Sequence, residues 1–303
     1  MGISIAGVLL KNPTILASGI MGISASSLQY AEGGGAGAVT LKSIGPSART
    51  GHPNPTVFSW EHGLQNAVGL SNPGIDDAIS IIQKMVKTVT IPVFGSMFAD
   101  TIDNFKMVGE KLSATGVAAI EINLSCPNTE NDFGQMFALN PNMTYDVVKV
   151  VKSVVGKIPI FAKLSAESHN ISEIAKAAEA AGADGISAIN TVSGMIIDIH
   201  AKRPILANKV GGLSGPAIRP IGIRAVHNIY KSVKIPIIGM GGINTGEDAI
   251  EYIMAGSTAI AIGSGVYYRG ITVFKKIVDE MDEFMKKENY TNLEAIRSVA
   301  NTI

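Results

Sequence analysis

The chain of 303 residues contains one cysteine, Cys126, and one tryptophan. A single cysteine excludes an internal disulfide, and without a CxxC pair the chain cannot by itself build a zinc ribbon or a four-thiolate iron–sulfur cluster. A reducing, cytoplasmic setting is expected. Charge is also sparse: 17% of residues are charged, lysine plus arginine equals aspartate plus glutamate at 25 each, and no long run carries one sign. That balance leaves no electrostatic footprint for nucleic acid or an anionic membrane. The uncharged run from Ile253 to Tyr268 falls short of the roughly 20 residues of a membrane-spanning helix, and glycines interrupt it. The opening MGISIAGVLLKNP has neither a basic leader nor a small-residue cleavage site, so it reads as a strand and turn rather than a signal peptide. An HExxH motif and a carboxylate cluster at strand ends are both missing, which gives a metal site little support. His52 and His62 read as surface or lid residues.

Apolar residues, at 46%, are plentiful enough for a sizeable core. Three segments share one form, IPVFGS (91–96), IPIFAK (158–163) and IPIIGM (235–240), each an apolar strand opened by proline. Between them run GAGAVTLK (35–42), TGVAAIEIN (115–123), AGADGISAIN (181–190) and AGSTAIAIG (255–263), each a small-residue turn leading into a strand. Helical periodicity fills the gaps, as in Asp76 to Val86, Tyr145 to Val155, Glu173 to Ala181 and the amphipathic Val273 to Lys287. With the strand around Thr14 to Ala17, eight apolar strands alternate with helices, as parallel strands buried on both faces should.

The reading is a single α/β domain over residues 1–303, a (β/α)8 TIM barrel. An N-terminal hairpin before Pro13 would cap its floor, and long insertions (46–70 and 128–143) would follow strands two and four. An open doubly wound sheet gives the same alternation, but it carries a glycine fingerprint after its first strand. Here that strand ends in Ala17-Ser18-Gly19. Polar residues instead end many strands: Lys42, Ser96, Asn123, Lys163 and Asn190.

A lysine at a strand end is ordinarily one that snorkels to solvent. Two at matching ends, with Asn123 and Asn190, favour a site for something anionic or electron-rich. Glycines after the seventh strand (239–242) and the eighth (263–265) fall where barrel enzymes often bind phosphate; ordinary turn glycine is the competing reading. Cys126 lies in the loop after strand four. A lone cysteine is usually an inert, buried hydrophobe, yet a loop thiol near two ammonium groups can act as nucleophile or base.

The motifs NPTILASG (12–19), TLKS (40–43), NAVGLSNPG (66–74), EINLSCPN (121–128), FAKLS (161–165), AINT (188–191), GGLSGPAIRP (211–220), GMGGI (239–243) and IGSG (262–265) together resemble the class 1 dihydroorotate dehydrogenases over essentially the whole chain. The resemblance implies an FMN enzyme that oxidises dihydroorotate to orotate in pyrimidine synthesis. FMN would be touched by Ser18, Lys42, Ser43, Ser96, Asn123, Lys163, Ile189 and Gly215, with its phosphate on Gly241, Gly242, Gly263 and Ser264. Dihydroorotate would be held by Lys42, Asn66, Ala67, Val68, Gly69, Leu70, Asn123, Asn190 and Thr191. Lys42 would pair with the substrate carboxylate, Lys163 would stabilise negative charge on the reduced ring, and Cys126 would be the general base. Cysteine there, rather than serine, is similar to the soluble class.

Asn-Ala-Val-Gly-Leu-Ser-Asn (66–72) resembles the NAD-linked class 1B subclass more than the fumarate-using one. That subclass implies a homodimer within a heterotetramer, with a second subunit bearing FAD and an iron–sulfur cluster. Two departures stand out: Ser96 replaces an asparagine found in many relatives, and LSAES (164–168) replaces LSPN. The rival readings are a fumarate-linked class 1A enzyme, a flavin-dependent pyrimidine reductase related to dihydropyrimidine dehydrogenase, a flavin-free aldolase using Lys163, and a non-catalytic FMN-binding subunit.

Overall fold

The structure, a computed structural model, describes residues 1–124 and 137–301. It opens with an antiparallel hairpin, β1 (Ile3–Ile5) and β2 (Val8–Leu10), turned by Ala6 and Gly7 at positive φ. Then come β3 (Thr14–Leu16), α1 (Ala25–Gly33), β4 (Ala38–Thr40), a second hairpin of β5 (Val57–Trp60) and β6 (Gly63–Asn66), α2 (Ile75–Val86), β7 (Val93–Met97), α3 (Ile102–Ser113) and β8 (Ala119–Asn123). After it follow α4 (Pro141–Lys152), β9 (Ile160–Leu164), α5 (Ile171–Ala180) and β10 (Gly185–Ala188). Four short strands come next: β11 (Val192–Gly194), β12 (Ile197–Asp198), β13 (Arg203–Pro204) and β14 (Gly211–Ser214). The chain continues with α6 (Arg219–Tyr230), β15 (Ile237–Met240), α7 (Gly246–Ala255), β16 (Ala259–Ile262), α8 (Gly265–Arg269) and α9 (Val273–Lys287).

Strands β3, β4, β7, β8, β9, β10, β15 and β16 pair in parallel and close on one another, β16 against β3, so the fold is a (β/α)8 barrel and not an open sheet. The closure follows from which side chains face inward. Ile15, Ala38, Phe94, Ala119, Phe161, Ile238 and Ala259 fill the interior, with the Phe94 and Phe161 rings 5.7 Å apart and stacked. Small residues on some strands make room for large ones on others, as layered barrel interiors require. Ile5 and Leu10 of the hairpin join this inner cluster, so the N-terminal segment plugs the barrel floor as expected from the sequence. Outside, apolar helix faces carrying Leu28, Ile82, Phe105, Val147, Ile174, Val226, Ile253 and Ile277 pack over the strands.

Caps set the helix boundaries. The fourth helix begins at Pro141 rather than Tyr145 because the Asn140 side chain accepts from the N–H groups of Asn142 and Met143. Likewise Asn170 accepts from Glu173 N–H and starts α5 at Ile171 instead of Glu173. The bounds of α9 match the periodicity reading. Strand β4 ends at Thr40, so Lys42 lies two residues past the strand that it was expected to finish.

A third insertion, after β10, joins the one after β4. Strands β11, β14, β6 and β5 form one antiparallel sheet over the carboxyl ends of the barrel. The buried Gln65 side chain ties its two insertions together by donating to the carbonyl of Gly194. Of the insertion expected over 128–143, the described part is a short 3-10 turn, Phe137–Leu139, followed by the first turn of α4. No described helix is long and apolar enough to cross a membrane.

Candidate active site

A cleft of about 340 Å³ opens at the carboxyl ends of the barrel strands, under the antiparallel sheet. That volume is within the usual range for a small-molecule site, roughly 300–1,000 Å³. Lys163, next to last in β9, reaches toward it from below. Its Nζ lies 3.3 Å from Oε1 of Glu121 on β8, and the two side chains are 6% and 4% exposed. Oε1 of Glu121 also faces the Ser96 hydroxyl at 3.5 Å. Ser96 Oγ is 2.8 Å from Ser43 Oγ, Ser43 is 3.3 Å from Ser18 Oγ, and Ser18 donates to the Leu41 carbonyl at 2.8 Å. A line of hydroxyls thus runs from the cleft wall to a buried ion pair. On the same side Asn190 Nδ2 donates to Asn123 Oδ1 at 3.4 Å, while Asn190 Oδ1 accepts from Thr191 N–H at 2.8 Å. Each amide thereby holds the other's orientation at the cleft.

Glycine backbone at 241, 242 and 263 also lines the cleft. Gly241 and Gly242 have φ of +125° and +72°, a region that L side chains rarely adopt. A Cβ on Gly242 would come within 2.6 Å of the Gly215 carbonyl, and one on Gly263 would project beside Ile20, itself in the cleft lining. This loop is braced from behind. Tyr252 donates to the carbonyls of Gly241 at 2.7 Å and Met240 at 3.2 Å, and burial raises its phenol far above the ordinary tyrosine range, so it stays a donor. Asp248 accepts from the N–H groups of Asn244 at 2.8 Å and Thr245 at 2.9 Å and pairs with Arg219. Arg269 donates to the Asn244 carbonyl at 2.8 Å and to Glu280 at 2.6 Å, and Glu280 accepts from Gly246 N–H at 2.6 Å.

The model of the dihydroorotate dehydrogenase family matches residues 1–285. The chain is 50% identical over 301 residues to the "Dihydroorotate dehydrogenase B (NAD(+)), catalytic subunit" of Methanocaldococcus jannaschii, covering 98% of this chain and 97% of that one. The proteins of the same name from Pyrococcus abyssi and Thermoplasma acidophilum are each 44% identical, over 298 and 297 residues, covering 98% of this chain in both cases and 98% and 97% of theirs. This chain belongs to the dihydroorotate dehydrogenase family. Its fold is also that of a crystallised DHODH in complex with ferulenol from Eimeria tenella, with a TM-score of 0.86 at 22% identity over 100% of this chain and 89% of that one.

For a dihydroorotate dehydrogenase the cleft gathers most of the residues that the sequence nominated. Ser18, Lys42, Ser43, Asn123, Lys163, Ile189, Gly241, Gly242, Gly263 and Ser264 line it, as do Asn66, Val68, Gly69, Leu70, Asn190 and Thr191. Three nominated residues lie outside the lining. Ser96 is wholly buried behind Ser43, Ala67 is buried, and Gly215 follows the lining residue Ser214 in the chain. Cys126 lies outside the described residues. The apolar lining residues Val57, Leu64, Ile218, Met240 and Tyr267 went unnominated; isolated apolar positions carry no chemical signal in a sequence. Glu121 was missed too, although it stands inside the quoted EINLSCPN motif. His62 is exposed, and the His52 ring contacts the Ala67 carbonyl at 3.2 Å. Among the described residues, no group of three or more His, Cys, Asp or Glu side chains is placed to hold a metal ion.

FMN, the cofactor that the family implies, suits these residues. Gly241, Gly242 and Gly263 bring backbone to the cleft lining where a phosphate tail could approach it, and Lys163 lines the same cleft with a positive charge for a ring. Glycine-rich backbone close to a helix start is a common phosphate environment.

Proposed function

We propose that this chain is the catalytic subunit of an NAD-linked dihydroorotate dehydrogenase, oxidising (S)-dihydroorotate to orotate in pyrimidine synthesis. The observation that carries the reading is the convergence of Lys42, Lys163 and the coupled pair Asn123–Asn190 on one cleft that the glycine backbone at 241, 242 and 263 also lines. FMN, when bound there, supplies a two-electron acceptor for the substrate's hydride.

The chain's own residues have separable tasks in this reading. Gly241, Gly242, Gly263 and Ser264 hold the cofactor phosphate, and Ser18, Ser43 and Ile189 border the ring. Lys42 pairs with the substrate carboxylate. Asn66, Asn123, Asn190 and Thr191 hydrogen-bond the flat pyrimidine ring, and the loop from Ala67 to Leu70 shapes the pocket around it. Lys163 offers a positive charge, effective because water is excluded. Cys126 removes the proton from the carbon next to the one that loses hydride. With one cysteine the chain cannot house an iron–sulfur cluster, so electrons leave through a partner subunit with FAD and a cluster. The relatives' names, which combine NAD(+) with "catalytic subunit", support that division of labour. The remaining elements of the reading are a single domain over 1–303, a homodimer inside a heterotetramer, and a cytoplasmic location.

Anaerobic titration of the FMN-loaded protein with dihydroorotate tests the function. Bleaching of the flavin band is expected, followed by recovery on adding NAD together with the partner subunit. Bleaching by dihydrouracil but not by dihydroorotate would transfer the protein to the pyrimidine reductases.

A further inference from the structure

We propose that Glu121, which has no role in the reading above, is a positioning residue that holds the Lys163 ammonium in place and lowers the reduction potential of FMN in the cleft; the inference rests on that reading. Glu121 is 3% and Lys163 4% exposed, so neither charge is relieved by bulk water. A charge in such a place needs a partner, and each is the other's at 3.3 Å. The stacked rings of Phe94 and Phe161 seal the barrel beneath them, so the field of the pair acts in a medium far less polarisable than water.

The carboxylate is also held from the cleft side. Ser96 donates to Oε1 of Glu121, which leaves the Ser96 oxygen to accept from Ser43. Ser18 spends its proton on the Leu41 carbonyl. The line from Ser43 through Ser96 therefore has one direction, ending on Glu121, with Ser18 donating away from it. It fixes the carboxylate on the oxygen that meets Lys163, so the ammonium is pinned from one side while its own strand fixes it from the other.

Reduction of FMN at neutral pH takes up two electrons and one proton, which adds one negative charge to the ring. An unpaired ammonium in the cleft lining would favour that charge strongly. A carboxylate 3.3 Å from the ammonium offsets part of this, keeping the bound cofactor a better electron donor to an acceptor as reducing as NAD. Glu121 acts through Lys163 and through its field, without touching cofactor or substrate.

The test is the midpoint potential of FMN bound to the full chain, measured by anaerobic dye-coupled titration of wild type, Glu121→Gln, Lys163→Gln and the double variant. Glu121→Gln is expected to favour reduction at least tenfold, about 30 mV more positive for a two-electron couple. Lys163→Gln should move the potential the other way and the double variant should fall between. If Glu121→Gln alone fails to fold, the comparison of Lys163→Gln with the double variant carries the same prediction, because the double variant leaves no unpaired charge. Equal potentials with and without the carboxylate overturn the inference while leaving the proposed function intact. A wild-type chain that takes up no FMN overturns the function itself.

Discussion

The Tyr252 hydroxyl donates to the Gly241 carbonyl at 2.7 Å and reaches it through a gap in α6, where a Cβ on Gly222 would come within 2.0 Å of the phenolic oxygen. The tyrosine thus bridges from α7 to the back of the glycine cradle. A hydrogen bond of this kind contributes on the order of 1 kcal/mol net. Tyr252→Phe is therefore expected to weaken FMN binding by roughly fivefold to tenfold, with little change in the rate of reduction once the cofactor is bound. Flavin fluorescence titration measures the first and stopped-flow the second. Gly222→Ala, which pushes the phenol aside, should cost more than Tyr252→Phe.

The neighbouring brace depends on pH. Burial opposes charge on Glu280, but hydrogen bonds from Arg269 and the Gly246 N–H, with the charges of Arg269 and Lys276, outweigh it and hold the carboxyl below the usual carboxylate range. Because the folded value is depressed, the stabilisation is complete at neutral pH and above the ordinary carboxylate value. It is lost as pH falls through the lower, folded value. Thermal unfolding from pH 7 downward should show the wild type losing stability in acid, and Glu280→Gln should start lower at neutral pH with a flatter acid limb. Parallel acid limbs would place the sensitivity elsewhere.

Most of the barrel was legible because parallel strands buried on both faces are nearly all apolar, and because proline or a small-residue turn marks each start. The strands β11 to β14 were not legible: two to four residues each, glycine-rich or half exposed, they are held by pairing β11 with β14, β12 with β13 and β14 with β6 rather than by a pattern of their own. Helix starts were displaced at Pro141 and Ile171, where asparagine caps outweighed apolar periodicity. Within the site, residues with chemical character at strand ends were readable. Glu121 was not, since an acidic residue two positions before a strand's end looks like an ordinary interruption until its partner 42 positions later is seen beside it. Ser96 was read as a cofactor contact, but its hydroxyl lies a layer deeper, linking Ser43 to Glu121.

The interior stack gives a direct test of the barrel's core. Phe161 is fully buried, packs on Phe94, and crowds Gly185, where a Cβ would come within 2.3 Å of its ring. Neighbouring strands cannot collapse to fill the space that a truncation leaves. Phe161→Ala is expected to cost about 3–5 kcal/mol in urea unfolding, with an unchanged slope.

Lys42, proposed to pair with the substrate carboxylate, should set the preference for a substrate that carries one. A hydrogen bond to a charged group is worth roughly 1.5–3 kcal/mol, so Lys42→Met should lower kcat/KM for dihydroorotate about tenfold to 150-fold. Dihydrouracil, which lacks the carboxylate, should lose far less. An equal loss for both compounds would mean that Lys42 serves the cofactor instead of the substrate.

The proposed general base, Cys126, gives a further test of the function. The described residues on either side of its segment meet, with Ala138 N–H donating to the Leu124 carbonyl at 3.0 Å, one residue past the cleft residue Asn123. Loss of a positioned general base typically costs about 10²- to 10⁴-fold. Cys126→Ala should slow reduction of bound FMN by dihydroorotate within that range while leaving FMN affinity unchanged, since the proposed phosphate cradle at Gly241 and Gly242 lies in the loop after β15. Cys126→Ser is the sharper variant. An unperturbed thiol ionises near pH 8.5, whereas an alcohol stays protonated far above it, so the serine enzyme should turn over slowly and speed up as pH rises. A Cys126→Ser rate that is flat between neutral and alkaline pH would mean that proton removal is carried by another group.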